Sequence, residues 1–279
     1  MLRAKKKQTR PGLKQRRFRQ RLISYRESRN GGSPRKIPRA AVPSFFTLMN
    51  LFCGFLSLIQ VLEGRLEYAG WLILLASFFD MMDGTLARLT NGSSPFGTEL
   101  DSLCDIVSFG VAPAFMIYVF GLQEYGTPGI IIASLPALAG AVRLARFNAN
   151  YEGEKSDYFV GMPIPVSAMV IVAIVLNADL VRRLVENNGD MSVIFITVIL
   201  LSGLMVSNIK FDSAPRPSAE YIKRNPRNTL IGILALVVMA VFREPGLLAV
   251  MVSYVILGLA RSFGGFVKAL RSADAEPSE

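Results

Sequence analysis

Long apolar runs alternate along the chain with short polar connections. Eight runs carry the pattern: Val42–Leu62, Ala69–Leu89, Phe96–Phe120, Pro128–Phe147, Val160–Leu180, Ser192–Asn208, Thr229–Phe242 and Gly246–Ala260. A helix that crosses a bilayer takes roughly 20 mostly apolar residues. The first six approach that length, and the last two are short enough to form one hairpin dipping into the bilayer. Most connections are under 15 residues, as between neighbouring helices of a bundle. The pattern predicts an all-α, polytopic transmembrane bundle over residues 40–260, between a basic tail over 1–39 and a C-terminal tail over 261–279. It shows no second domain and no internal repeat.

Composition agrees with this reading. Of 279 residues, 51% are hydrophobic and 19% charged, against about 25% charged in soluble domains. Mean hydropathy is +0.39. These values exclude a disordered chain, a collagen, a coiled coil and a disulfide scaffold. The net charge of +10 belongs to the tail: residues 1–39 hold 15 Lys and Arg against Glu27 alone, and the remainder sums to −4. No nucleic-acid partner is therefore expected. The tail reads either as a solvated topology signal or as a segment drawn to anionic lipid, with Phe18, Leu22 and Tyr25 at helical spacing. A cleavable leader is not expected, because the chain opens on basic residues rather than an apolar core. With eight spans, one side of the membrane collects 27 Lys and Arg and the other only Arg65, Arg182, Arg183 and Arg243. The positive-inside rule then puts both termini in the cytoplasm. Histidine is absent, which removes His-based zinc sites and His general bases, and Cys53 and Cys104 lie in apolar runs without zinc-ligand spacing.

The chemistry concentrates between Phe79 and Gly110. Asp80, Asp83, Asp101 and Asp105 interrupt two apolar runs. An Asp at the centre of a membrane helix costs about 2.5–3.5 kcal/mol, so such residues persist where they face a cavity and bind something. Asp80 and Asp83 are spaced i,i+3, and Asp101 and Asp105 i,i+4, so each pair shares one helix face. If the two helices form an antiparallel hairpin, the pairs meet at matching depths, roughly 6–14 Å from its end. Four converging carboxylates repel unless protons or cations intervene. Hard oxygen ligands select Mg²⁺, Mn²⁺ or Ca²⁺, and room for two ions would suit phosphoryl displacement. A structural ion site or a cation transporter fits the acids equally well. Gly84, Ala87 and Gly97, which leave the wall open, and Arg88, which can hold a phosphate, favour the phosphate chemistry.

The pattern Asp80-x2-Asp83-Gly84-x2-Ala87-Arg88-x8-Gly97-x3-Asp101-x3-Asp105 resembles, without gap or substitution, the signature of the CDP-alcohol phosphatidyltransferases. The resemblance implies a six-helix membrane core with about two extra C-terminal helices here, an active site at the cytoplasmic face, and two divalent cations, Mg²⁺ or Mn²⁺. It implies metal binding by Asp80, Asp83, Asp101 and Asp105, with Asp105 as general base. It also implies CDP-lipid binding by Gly84, Ala87, Arg88 and Gly97, with Ser94 as a further nucleotide contact. The likeness favours a homodimer in the cell's inner membrane.

Further segments, PSFFTLMNLFCG from Pro43, RLARFNAN from Arg143 and FVGMPIPVSA from Phe159, resemble the bacterial-type phosphatidylserine synthases within that family. This implies CDP-diacylglycerol as donor and L-serine as acceptor. Ser44 departs from the Asn common at that position, which leaves Thr47 and Asn50 as the donor contacts on the first helix. Arg143, Arg146 and Asn148 form a trio suited to the serine carboxylate, although the two arginines also fit simple positive-inside flanking. Glycerol 3-phosphate or inositol phosphate as acceptor, and an archaeal-type lipid as donor, remain alternatives.

Overall fold

The protein is described here by a computed structural model covering residues 41–90, 94–149, 158–186, 192–212 and 226–273. The basic tail and Lys155 lie outside the described residues. Helix α1 (Ala41–Leu62) turns at Gly64, φ 73°, into α2 (Leu66–Leu89). The two helices pack closely, with Ser57 Oγ donating to the Ala69 carbonyl at 3.0 Å. Ala69, Gly70 and Ala76 line the buried face of α2. Small residues of this kind let membrane helices approach.

Helix α3 (Pro95–Asp105) starts on an N-cap at Ser94, whose Oγ accepts from the Gly97 amide at 3.0 Å, with proline in the first turn. Both features are strong helix-start signals. After Asp105 the helix widens into a π-helical segment, Ile106–Val111, before resuming as α4 (Ala112–Ile117). Pro113 offers no amide to the carbonyl four residues back, and the wider register accommodates that gap. A second π-helical segment, Tyr118–Leu122, and a 3₁₀ turn, Gln123–Tyr125, lead to Gly126 at φ 59°. There the chain reverses into α5 (Gly126–Ala149). The antiparallel register shows in Gly110 lying against Ala137 and Gly140 against Ile106.

Strand β1 (Tyr158–Val160) follows, then α6 (Ile164–Leu176), α7 (Ala178–Glu186), α8 (Ser192–Val206), strand β2 (Lys210–Asp212) and α9 (Pro226–Ala273). Helix α6 is the centre of the bundle, touching α2, the first π segment, α4, α8 and α9. Its residues Ile164, Ala168, Ile171, Val172 and Ala173 are fully buried. Helix α9 is kinked at Arg243, φ 50°, beside Pro245. Its two arms hold the runs Thr229–Phe242 and Gly246–Ala260. The kink docks on the end of α6, where Asn177 Nδ2 donates to the Ala173 and Glu244 carbonyls at 2.8 and 2.9 Å.

Among the described residues, three stretches are long and apolar enough to cross a membrane: Val42–Leu62, Pro95–Ala149 and Thr229–Ser262. The all-α membrane bundle is thus as expected, with two corrections. The runs from Val160 and Ser192 form helices of only 13 and 15 residues. Gly161 at φ 76° and Pro163 delay the start of α6, and the residues before them extend instead as β1. The second correction is the strand pair itself: β1 and β2 run antiparallel, with Phe159 opposite Phe211. It ties the start of α6 to the end of α8.

A Cβ at Gly54 would lie 2.8 Å from the Ser108 backbone, so Gly54→Ala forces α1 and the π segment apart. Overpacking of this kind costs about 1–3 kcal/mol. A lowered thermal midpoint of the purified variant in detergent is the expected result.

Candidate active site

The bundle brings the acids together as the spacing required. Asp80 from α2 and Asp101 and Asp105 from α3 each place a carboxylate oxygen within 4.8 Å of the others. Asp83 completes the group beside Asp101 and is itself buried. Its neighbour on α1 is Thr47.

The packing differs from the expected hairpin. Over Pro95–Asp105, α3 rests mainly on α1, and α2 also rests on α1. Helix α2 meets the third helix through the π segment and α4. Direct packing at the level of the acids would press like charges together without room for a counterion. With both helices on α1, the acids approach each other through their side chains.

Helix α1 fixes the innermost acid. Asn50, fully buried, donates from Nδ2 to Asp105 Oδ1 at 3.1 Å. Ser108, one turn beyond Asp105, donates to the Asn50 backbone carbonyl at 3.0 Å. Asn50 Oδ1, Asp83 Oδ2 and Asp101 Oδ1 are buried without a hydrogen-bond partner among the described residues. Buried polar atoms are nearly always satisfied, so orphaned carboxylate oxygens beside a cluster of hard oxygen donors fit a divalent cation.

The donor-side residues divide by what they touch. A Cβ on Gly84 would meet only the Arg88 side chain, at 3.8 Å. Gly84 therefore serves an open face, unlike Gly54. Arg88 folds back, its Nε donating to the Gly84 carbonyl at 2.8 Å, which holds its guanidinium beside that face. Ala87 is half-buried. Gly97 and Ser94 are engaged with each other in the cap of α3. Thr47 Oγ1 also donates to the Pro43 carbonyl at 3.1 Å.

The acceptor trio separates in space. Arg143 lies within electrostatic reach of Asp105 and of Tyr254, and its Nε is buried without a hydrogen-bond partner among the described residues. Arg146 turns away, its Nη1 donating to the Val206 carbonyl at the end of α8 at 3.0 Å. Asn148 Nδ2 donates to Ser102 Oγ at 3.0 Å and so ties α5 to α3 next to Asp101. The sequence alone does not single out Ser102, Ser108 or Tyr254. The two serines are nevertheless accessible from spacing, since Ser108 stands i+3 from Asp105 on the same helix. Tyr254 carried no local signal inside its apolar run.

The residues that define the CDP-alcohol phosphatidyltransferase family match this chain over 40–207. The chain belongs to that family. This CDP-alcohol phosphatidyltransferase is 34% identical over 224 residues to a Helicobacter pylori protein named CDP-diacylglycerol–serine O-phosphatidyltransferase, covering 80% of this chain and 92% of the relative. A Bacillus subtilis protein of the same name is 34% identical over 182 residues, 65% of this chain and 96% of its own. The archaetidylserine synthase of Methanothermobacter thermautotrophicus is 37% identical over 173 residues, 61% of this chain and 69% of its own. The family uses divalent metals, in agreement with the carboxylate cluster, and helix α9 lies beyond the matched region.

Two measurements probe the site. Asp101→Asn keeps the side-chain shape and removes one negative charge. Binding of Mn²⁺ to the detergent-solubilised protein, followed by electron paramagnetic resonance, should weaken about 10-fold or more, since changes to mere supporting groups already cost that much. Gly84→Ala meets no steric obstacle and gains up to about 1 kcal/mol of helix propensity. Its thermal midpoint should hold or rise while transferase activity falls about 10-fold or more, because lost positioning of a substrate is costly.

Proposed function

We propose that this enzyme transfers the phosphatidyl group of CDP-diacylglycerol to L-serine, giving phosphatidylserine and CMP. The observation that carries the proposal is Asp105. It stands among the clustered carboxylates, oriented by Asn50 and within electrostatic reach of Arg143. The serine named in the bacterial and archaeal relatives supports the acceptor.

Two divalent cations, Mg²⁺ or Mn²⁺, held by Asp80, Asp83, Asp101 and Asp105 would supply neutralisation of the donor's diphosphate as charge builds on it. The chain's own groups do the rest. Arg88 and the open face at Gly84 receive the nucleotide phosphates. Arg143 pairs with the serine carboxylate and holds the hydroxyl toward Asp105. The Asp105 carboxylate accepts the hydroxyl proton as the serine oxygen attacks the lipid-side phosphorus. The bond from that phosphorus to the CMP oxygen breaks, and CMP leaves. Asn50 keeps the plane of the Asp105 carboxylate fixed through one oxygen and leaves the other to accept.

The reaction is placed at the cytoplasmic face of the inner membrane, in a homodimer with both termini inside. The distribution of 27 basic residues against four supports the cytoplasmic side. A second donor is favoured by one specific observation, the archaetidylserine synthase among the relatives: an archaeal-type lipid would present the same diphosphate to the same residues. Nothing about the site favours glycerol 3-phosphate, inositol phosphate or ion transport over serine transfer.

Incubation with CDP-diacylglycerol, Mn²⁺ or Mg²⁺, and serine, glycerol 3-phosphate or inositol phosphate in parallel tests the reading. Serine alone should release CMP and yield phosphatidylserine. CMP release with another acceptor and none with serine would overturn it. Arg143→Lys keeps the charge but loses the planar fork. It should raise the serine KM about 10- to 150-fold, the range for a hydrogen bond to a charged group. Arg146→Lys should leave that KM within about 3-fold, because its guanidinium caps α8 and such contacts act on stability.

A further inference from the structure

Asn50 is held at both ends. Its backbone carbonyl accepts from Ser108 Oγ at 3.0 Å. Gly54, one helical turn on, lets Ser108 come that close, since a Cβ there would lie 2.8 Å from the Ser108 backbone. Its side-chain Nδ2 donates to Asp105 Oδ1 at 3.1 Å. An ionised carboxylate only accepts, so the amide nitrogen must face Asp105. The amide oxygen then takes the other side of the same planar group. Exchanging the two would set oxygen against the carboxylate.

That oxygen has nothing to bind. Asn50 is fully buried, and its Oδ1 has no hydrogen-bond partner among the described residues. Such orphaned acceptors are rare in folded proteins and costly. Asp83 Oδ2 and Asp101 Oδ1 share the condition, and both belong to the carboxylate group in which Asp80, Asp101 and Asp105 lie within 4.8 Å of one another. A bare divalent cation is smaller than a water molecule, so an oxygen closed to solvent can still hold one. Hard cations take amide oxygens alongside carboxylates. Four carboxylates already balance the charge of two divalent ions, and a neutral oxygen adds coordination without adding repulsion.

We infer that Asn50 Oδ1 is a neutral ligand of a divalent cation at the carboxylate cluster. Helix α1, which carries none of the acids, then joins α2 and α3 in holding the ion. A cation on the amide oxygen polarises the group and strengthens the Nδ2 hydrogen bond to Asp105. One side chain thus binds the ion with one atom and fixes Asp105 with the other. The inference rests on the cation reading of the cluster in the proposed function, and not on which alcohol is the acceptor.

The full chain is made with asparagine carrying ¹³C at the side-chain carbonyl, solubilised in detergent and loaded with Mn²⁺. Electron–nuclear double resonance reads the coupling between the bound ion and nearby ¹³C nuclei. The expected result is a resolved ¹³C coupling, several-fold larger than one transmitted through an intervening water. Asn50→Asp keeps an oxygen donor and removes the labelled carbon, so Mn²⁺ should stay bound and the coupling should vanish. Asn148→Asp changes the other described asparagine beside the acids, and there the coupling should persist. Bound Mn²⁺ with no ¹³C coupling in wild type, or only a water-sized one, would overturn the inference and leave the cation reading standing. A coupling that survives Asn50→Asp or disappears in Asn148→Asp would overturn it too. If Asn50→Asp fails to fold or to take up the ion, the wild-type coupling and its fate in Asn148→Asp decide. A wild type that takes up no Mn²⁺ would overturn the cation reading itself, and this inference with it.

Discussion

The structure depends on one electrostatic constraint: four carboxylates sit close together inside an apolar bundle. Their mutual repulsion and desolvation work against folding, and partners held by the surrounding helices offset both. Asn50 of α1 gives Asp105 a donor. Because α2 and α3 each rest on α1, one helix sets the separation of the two acid pairs. The π segment after Asp105 belongs to the same solution. Insertions of this type in helices are rare and frequent at functional sites, and here the segment places Ser108 under Asn50.

Much of this was legible in the residues. Apolar run lengths marked the helices, and the i,i+3 and i,i+4 spacings put each acid pair on one face, which is why Asp80, Asp101 and Asp105 meet as expected. Periodicity does not report how two helices approach, so the straddling of α1 was not visible. It also failed around Val160, where an apolar stretch fits strand and helix alike. Gly161 and Pro163 were the local clues to a shortened helix. For Arg143 and Arg146 the residue type was informative and the direction was not. Three positions on a helix turn the second guanidinium toward α8, and only the fold tells which arginine faces Asp105.

The residues around the acids also show two uses of one amino acid. Gly54 is required by a neighbour, and Gly84 faces space that only a side-chain end enters. Composition counts both alike. The distinction between a glycine for packing and a glycine for approach is carried by what stands opposite, and it separates the structural wall of the site from its working face.

The seat of Phe211 of β2 against Gly258 of α9 has a consequence for sequence divergence. The strand pair and the last helix are 47 positions apart at this contact, yet they share one filled volume, so neither can drift alone. A homologue with Ala or a larger residue at 258 would have to carry a smaller side chain at 211 or shift its last helix outward. Substitutions at these two positions should therefore be correlated across homologues that retain α9.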